Sequence, residues 1–107
     1  MLIGDAAHSA LPTSGQGACQ ALEDAWHFVN CLAEHEHDLS NVFHQFTQLR
    51  LQKTSAITMG GRQLASSIFN QDLAFCKQRN IASKNTDYAS LVSGMAKGWM
   101  SELTIGA

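Results

Sequence analysis

The N-terminal part of the chain holds the groups best suited to bind a ligand. Asp5 follows Gly4 at the end of a short apolar run, and a carboxylate at such a place can accept hydrogen bonds from sugar or polyol hydroxyls. Gly15-Gln16-Gly17 precedes a run of helix-forming residues, and the N–H groups at the beginning of a helix favour an anion or an electron-rich ring edge. Asp5 is therefore a candidate ribose or ribitol contact, although each feature alone is also common in ordinary turns and helix starts.

Three segments must position these groups. The apolar residues 1–3 are typical of the end of a buried strand, and the small, polar residues 5–14 predict a loop that Pro12 stiffens. From Gly15 onward the spacing of apolar residues predicts an amphipathic helix of roughly five turns. Its predicted buried face contains Ala18, Ala21, Leu22, Ala25, Trp26, Val29, Leu32 and Ala33, and its predicted exposed face contains Gln20, Glu23, Asp24, His27 and Asn30.

A second helix is predicted after the charged segment that ends the first. Asp38 or Ser40 can cap it, and apolar residues then recur at spacings of three and four. Because only a short turn separates the two helices, they should form an antiparallel pair. Gly60-Gly61 is expected to interrupt or bend the second helix.

The remaining residues also favour helices. Residues 62–78 predict a third helix, residues 79–87 predict a loop, and Thr86 or Asp87 can cap a last helix with apolar residues on one face. The sequence therefore predicts a mainly α chain, with three to four helices after a strand stump.

Size, charge and cysteine content exclude several classes of function. A chain of 107 residues suits one small domain, and a formal charge of −2 without a basic stripe argues against nucleic acid as a partner. The three cysteines form no CxxC pair, which suits a reducing compartment. No apolar run reaches the roughly 20 residues that span a bilayer, and the first residues lack the pattern of a signal peptide. We therefore expect a cytoplasmic protein without a stable membrane anchor.

The stretch from Leu2 to Ala25, LIGDAAHSALPTSGQGACQALEDA, closely resembles the second flavin-binding motif of the FAD-dependent aromatic hydroxylases. These are flavoprotein monooxygenases similar to p-hydroxybenzoate, salicylate and urate hydroxylases. The ALEDA segment is similar to the version found in the salicylate and urate hydroxylase branch. A weaker similarity continues through a helix in which Phe46, Arg50 and Lys53 resemble that family's Tyr-x3-Arg-x2-Arg pattern, and it extends to about Phe69.

The resemblance implies a role for each residue of the motif. Asp5, after Gly4, would hold the ribitol of FAD, and the backbone of Gly15-Gln16-Gly17 with Ala18 would lie beside the pyrimidine end of the isoalloxazine. Pro12 would sit near the reactive face of the flavin, which makes it the one catalytic candidate. The resemblance also implies that NAD(P)H reduces FAD and that dioxygen is then used to hydroxylate an aromatic small molecule. N–H donors suit this chemistry because reduced flavin carries negative charge near its pyrimidine carbonyl.

The sequence also departs from the family's pattern. It contains no GxGxxG and no Asp-Gly motif, so these residues are not expected to contact the ADP half of FAD. We therefore expect the C-terminal part of an α/β FAD-binding (Rossmann-like) fold. It would be a single partial domain over 1–107, with the flavin-binding loop and helix in 1–35 and a helical region in 36–107.

Such a chain is not expected to hold FAD tightly or to be active by itself. Exposed apolar helix faces would favour association, so a homodimer is predicted. A non-catalytic helical interaction module, derived from a truncated hydroxylase gene, is the alternative function.

A metal site is a competing interpretation of the cysteine and histidine residues around the end of the first helix. Cys31, His35, His37 and His44 could together surround Zn²⁺. His37, however, falls past the predicted end of the helix, so a solvated helix end is favoured and no metal is expected.

A nucleophile and base are a second competing interpretation. His8 lies close in sequence to Ser9 and Ser14, but the chain has no Gly-x-Ser-x-Gly elbow to present a serine. His8 is therefore expected to pack within the loop rather than to act as a general base.

Overall fold

The structure is a computed structural model that describes residues 1–36 and 38–101. Every regular element in these residues is helical. The elements are α1 (Asp5–His8), a 3₁₀ turn (Pro12–Ser14), α2 (Gly17–Glu34), α3 (Leu39–Ile68), α4 (Leu73–Lys84) and α5 (Tyr88–Trp99). The prediction of a mainly α chain is confirmed, and the four longer helices match the expected number.

The strand predicted at the N-terminus is wrong for the described residues. Residues 1–3 are exposed and have no regular secondary structure. A strand needs a neighbouring strand to pair with its N–H and C=O groups, and residues 1–36 and 38–101 contain none. The segment therefore only leads into Gly4.

The chain divides into two compact units, unit 1 (Met1–Ala65) and unit 2 (Ser66–Ala107). Unit 1 contains α1, α2 and most of α3, and unit 2 contains the end of α3 with α4 and α5. The expected boundary between residues 35 and 36 lies in the turn between α2 and α3, and the single partial domain over 1–107 stays a prediction. None of the helices in the described ranges combines the length and apolar character needed to cross a membrane.

In unit 1, α2 and α3 run antiparallel, as predicted. The Gln45 side chain donates a hydrogen bond to Glu34, and the Arg50 side chain donates one to Asp24, so residue numbers fall along α2 as they rise along α3. A small apolar core lies between the two helices. It consists of buried Cys31, Val42 and Phe46, with Phe28, Leu32 and Leu49 packed against them.

Aspartate side chains begin three of the helices. Asp38, Asp72 and Asp87 each accept hydrogen bonds from two N–H groups in the first turn of α3, α4 and α5, respectively. Such caps supply acceptors that the first turn of a helix lacks. The predicted caps at Asp38 and Asp87 are confirmed, whereas the Thr86 hydroxyl donates to the end of α4 instead.

The buried face of α2 differs from the predicted one. Leu22, Trp26 and Val29, on the predicted buried face, are 73%, 45% and 62% exposed. The buried residues of α2 are Gln20, Asp24, His27 and Cys31. Their spacing of four, three and four places them on one stripe of the helix. The prediction was wrong because polar groups can be buried when they are paired, and Arg50 of α3 pairs with Asp24 and Gln20 on this stripe.

The predicted interruption at Gly60-Gly61 is also wrong, because α3 continues through it as one helix of 30 residues. A glycine inside a helix costs only about 1 kcal/mol relative to alanine. Gly61 is buried beneath the 3₁₀ turn, where a Cβ would lie 3.4 Å from that of Ser14, and its carbonyl accepts a hydrogen bond from Thr13. Gly61 thus contacts the turn at ordinary van der Waals distance and through this hydrogen bond.

Unit 2 differs from its predicted helix boundaries. The helix predicted over 62–78 is broken between Ile68 and Leu73, where Asp72 caps a new helix. The loop predicted over 79–87 is wrong for 79–84, which continue α4, because no glycine or proline ends the helix there. Neither α4 nor α5 has a buried residue.

Candidate functional site

Gly4 forms the entry into α1. It is buried and has φ 59° and ψ −142°, a conformation that only glycine adopts without strain. A Cβ at this position would lie 3.3 Å from the Cβ of Ala21 on α2. The Gly4 carbonyl accepts hydrogen bonds from the N–H groups of Ala7 and His8, so the chain closes into a single helical turn that begins at Asp5.

One carboxylate oxygen of Asp24 holds both ends of this turn. Asp24 Oδ2 accepts a hydrogen bond from the Gly4 N–H at 2.7 Å and another from His8 Nε2 at 2.7 Å. Asp24 is 1% exposed. The turn that carries Asp5 is thereby fixed to α2 through two side-chain contacts made by a residue on that helix.

Arg50 on α3 binds the other oxygen of the same carboxylate and joins it to a larger cluster. Its Nε donates to Asp24 Oδ1 at 2.7 Å, and its terminal nitrogens donate to Glu23 at 2.8 Å and to the Gln20 side chain at 2.7 Å. Lys53 Nζ also lies 2.8 Å from Glu23 Oε2. Two carboxylates thus face two cations, which satisfies the requirement that buried charges be paired.

The cluster keeps Asp24 ionised. Burial alone raises the pKa of Asp24, but the hydrogen bonds from Arg50, Gly4 and His8 outweigh it, so the pKa lies below its ordinary value. An ionised carboxylate only accepts hydrogen bonds. The His8 ring therefore donates its Nε2–H, and the Gly4 contact persists at neutral pH.

The 3₁₀ turn is hydrogen-bonded to α3, and the residue that follows it, before α2, has open space around it. Pro12 is exposed at its first position, and the Thr13 hydroxyl donates to the Gly61 carbonyl at 3.0 Å. Gly15 then takes the left-handed conformation, with φ 65°, and its N–H donates to the Pro12 carbonyl. No atom lies within 4 Å of where a Gly15 Cβ would be.

Asp5 lies beside the beginning of α2. A Cβ on Gly17 would be 3.7 Å from a carboxylate oxygen of Asp5. No side chain caps α2 at Gln16, and the described residues supply no acceptor to the N–H groups of Gly17 and Ala18. The arrangement therefore offers a carboxylate for hydroxyl groups next to N–H donors for an anion or a ring edge.

An open groove of ≈ 390 Å³ adjoins Asp5. One side of the groove is formed by residues 5–9 and the other by four residues of α3, and all of them belong to unit 1. The α3 residues are Ser55, Thr58, Met59 and Arg62. Pro12 does not line this groove; it is exposed on the 3₁₀ turn, where its carbonyl accepts a hydrogen bond from the Gly15 N–H just before α2.

The residues that hold the loop were missed at the sequence level. Asp24 was assigned to the exposed face of α2, and His8 was expected only to pack in the loop, whereas the structure joins them through a hydrogen bond. Arg50 and Lys53 stood out only through a weak resemblance. The available signal was the stripe at 20, 24, 27 and 31, whose helical spacing marks one face whether or not its residues are apolar.

The residues of the hypothetical metal site are separated by their contacts. Cys31 is in the core, His35 hydrogen-bonds to Gln45, and His44 is exposed. His37 lies outside the described residues. Within residues 1–36 and 38–101, no three His, Cys, Asp or Glu side chains lie close enough to hold a metal ion.

The hypothetical nucleophile and base do not meet either. The His8 Nε2 is engaged by Asp24, and the Ser14 hydroxyl donates to the Leu11 carbonyl. Among the described residues, Ser9 makes no hydrogen bond to His8. This arrangement gives His8 the role of a hydrogen-bond donor to Asp24 of α2.

The chain is similar to a known protein family and to several curated proteins. The model of the family described as "FAD binding domain" matches residues 1–58. A 3-amino-4-hydroxybenzoate 2-monooxygenase of Streptomyces cremeus is 38% identical over 75% of the chain and 20% of its own length. A 3-hydroxybenzoate 6-hydroxylase of Aquipseudomonas alcaligenes is 36% identical over 59% of the chain and 20% of its own length.

A third relative is an FAD-dependent urate hydroxylase of Klebsiella oxytoca. It is 33% identical over 68% of the chain and 19% of its own length. The chain therefore spans about a fifth of the length of these three relatives. No solved structure matches the chain significantly.

Proposed function

We infer a function from the premise that this chain belongs to the FAD binding domain family and, with its relatives, to the FAD-dependent aromatic monooxygenases. We propose that its residues contact the ribitol and isoalloxazine of FAD. The whole enzyme would use NAD(P)H and dioxygen to hydroxylate an aromatic small molecule. The observation that carries the proposal is the proximity of the Asp5 carboxylate to the uncapped beginning of α2 at Gly17.

These residues fit the two parts of a flavin that they would contact. The exposed Asp5 carboxylate can accept hydrogen bonds from ribitol hydroxyls. The free N–H groups of Gly17 and Ala18 can face the pyrimidine edge, where the positive end of the α2 dipole favours the charge of reduced flavin. The open space at Gly15 leaves its backbone accessible to a flat ring.

The other assigned residues have supporting roles in this proposal. Gly4 permits the turn into Asp5, Gln16 contributes backbone between the two glycines, and Pro12 borders the reactive face of the ring. When bound, FAD supplies the electron transfer from NAD(P)H and the reaction with dioxygen. The chain's own residues bind the flavin and orient it.

The contacts of this chain account for only part of the affinity that FAD binding requires. Its 107 residues contain no GxGxxG that could hold the pyrophosphate. A hydrogen bond to the charged Asp5 contributes about 1.5–3 kcal/mol, whereas micromolar affinity requires about 8 kcal/mol. We therefore propose that the 107-residue chain by itself binds FAD more weakly than micromolar and does not catalyse hydroxylation.

A flavin titration tests this proposal. The 107-residue chain is titrated with FAD and with riboflavin, and binding is followed by flavin fluorescence. We expect weak but saturable binding of both ligands. Asp5→Ala should lower the affinity by at least about tenfold, because a charge-assisted hydrogen bond is lost. Glu36→Ala is the matched control, since it truncates an exposed acidic side chain in the turn after α2 and should leave the affinity unchanged.

The outcomes separate the parts of the proposal. Equal affinities of Asp5→Ala and the unaltered chain would remove the role of Asp5. Submicromolar binding of FAD would contradict the proposal that the contacts in this chain are incomplete. An absence of saturable binding by either ligand would contradict the proposed flavin surface.

We also propose that the chain is cytoplasmic and forms a homodimer through apolar helix faces. In unit 2, Leu73, Ile81 and Val92 are 78%, 62% and 62% exposed, and contact between copies would remove such side chains from water. Light scattering should give twice the mass of one chain, and Ile81→Asp should lower it. A strictly monomeric species at all concentrations would contradict the homodimer, and cell fractionation checks the location.

A further inference from the structure

Asp24 carries no role in flavin binding in the proposal above, yet its carboxylate fixes the turn that contains Asp5. Its Oδ2 accepts hydrogen bonds from the Gly4 N–H and from His8 Nε2, both at 2.7 Å. Gly4 directly precedes Asp5, and His8 is the last residue of α1. Both ends of the segment that carries Asp5 are therefore bound to a single atom.

The carboxylate that contains this atom is itself held in place by α3. Arg50 Nε donates to the second carboxylate oxygen of Asp24 at 2.7 Å. The Arg50 and Asp24 side chains are 3% and 1% exposed, respectively, so water does not compete with their contact. A carboxylate with both oxygens engaged by fixed partners has little freedom to rotate.

We propose that Asp24 is a positioning residue for the flavin site: through the Gly4 N–H and the His8 ring, it holds Asp5 beside the N-terminus of α2. Asp5 is exposed, so its position depends on the backbone on either side. A hydrogen-bonding side chain contributes to affinity only when it is held near its productive position before the ligand arrives. This inference rests on the proposed function, because it assumes that Asp5 contacts the ribitol.

A double-mutant cycle tests the inference. Riboflavin is the probe, because it contains the ribitol and the isoalloxazine but neither the phosphates nor the adenine of FAD. Asp24→Asn should lower riboflavin affinity about tenfold, since its amide group cannot accept from Gly4, His8 and Arg50 together. In the Asp5→Ala background the same change should have almost no further effect. Additive effects of the two changes would overturn the inference.

A milder variant covers the case in which Asp24→Asn fails to fold. His8→Ala removes one of the two contacts to the turn and leaves the ion pair between Asp24 and Arg50 intact. Its riboflavin affinity should fall about threefold, consistent with one hydrogen bond of ordinary strength. His44→Ala is the matched control, because His44 is exposed on α3. Equal affinities of His8→Ala and His44→Ala would count against the inference.

The Gly4 amide provides a readout that does not involve flavin. In the NMR spectrum of the unaltered chain, its proton should resonate at low field because it is bound to a carboxylate. The signal should move upfield in Asp24→Asn, or partly in His8→Ala, while the signals of unit 2 stay unchanged. An unmoved Gly4 signal would overturn the inference. If the signal moves but the unaltered chain binds no riboflavin, the positioning contact stands and the proposed function fails.

Discussion

Replacing Arg50 by alanine should destabilise unit 1 severely at neutral pH. The change leaves the buried carboxylate of Asp24 without its cation and removes one of the two cations that face Glu23. Removing one partner of a buried pair costs about 3–5 kcal/mol. A unit spanning Met1–Ala65 has a total stability of about 3–10 kcal/mol at roughly 0.05–0.15 kcal/mol per residue. The loss is therefore comparable to the whole free energy of unfolding.

The loss should also depend on pH, with a defined sign. In the unaltered chain the pKa of Asp24 is lowered, so its ionised form contributes stability above the ordinary value of 3.8, and this is lost as the pH falls through the lowered pKa. Without Arg50, burial raises the pKa of Asp24 with less to offset it. Protonation of Asp24 then removes part of the free-energy cost of losing Arg50. The difference between Arg50→Ala and the unaltered chain should therefore shrink between pH 7 and about pH 4.

Urea unfolding measures this difference in unit 1 alone. Trp26 is in unit 1 and Trp99 is in unit 2, so Trp26 fluorescence is followed in a Trp99→Phe background. Arg62→Ala is the control, because Arg62 is exposed on the same helix and makes no ion pair within the described residues. A loss below about 1 kcal/mol, as for surface ion pairs, would refute the reasoning. So would a difference that grows as the pH is lowered.

Three further changes have expected outcomes of their own. Gly4→Ala should lower the free energy of unfolding of unit 1 by about 1–3 kcal/mol, because its φ is 59° and the new Cβ would meet Ala21 at 3.3 Å. Thermal melts check this. Gly15→Ala, whose Cβ would meet no atom, should lower the free energy of unfolding by less. Gly60→Ala should raise the same free energy by about 0.5–1 kcal/mol, since no atom lies within 4 Å of where the new Cβ would be. A destabilised variant would contradict a continuous α3. Asp87→Ala should fray the beginning of α5 while Asp87→Asn keeps it capped, as read from amide chemical shifts. Because hydrogen bonds from Ser90 lower the pKa of Asp87, the cap should weaken only as the pH falls below the ordinary value of 3.8.

Local signals in the sequence predicted the local structure well. Asp38 and Asp87 mark the beginnings of α3 and α5 because a capping carboxylate acts on N–H groups two and three residues away. The motif also groups Asp5 with the beginning of α2, and a Cβ on Gly17 would lie 3.7 Å from an Asp5 carboxylate oxygen; that the two bind one flavin stays a prediction. Such features depend on few neighbouring residues, so the sequence alone carries them.

Features that depend on distant residues were not predictable in the same way. The buried face of α2 was assigned by counting apolar residues, but Asp24 is buried because Arg50, on another helix, neutralises and hydrogen-bonds it. Gly61 was interpreted as a break because its contact with the 3₁₀ turn involves residues far away in the sequence. A pattern of polarity reports the preference of each residue for water, whereas burial here is decided by pairing between helices.

Mapping the riboflavin site by NMR tests the central claim most directly. The ¹⁵N-labelled 107-residue chain is titrated with riboflavin, and the backbone amide signals are followed. The largest shifts should occur at Asp5 and at residues 15–18, where the carboxylate meets the uncapped beginning of α2. Shifts confined to residues 66–101, or no shifts at saturating riboflavin, would contradict the claim that Asp5 and α2 form the flavin-binding surface.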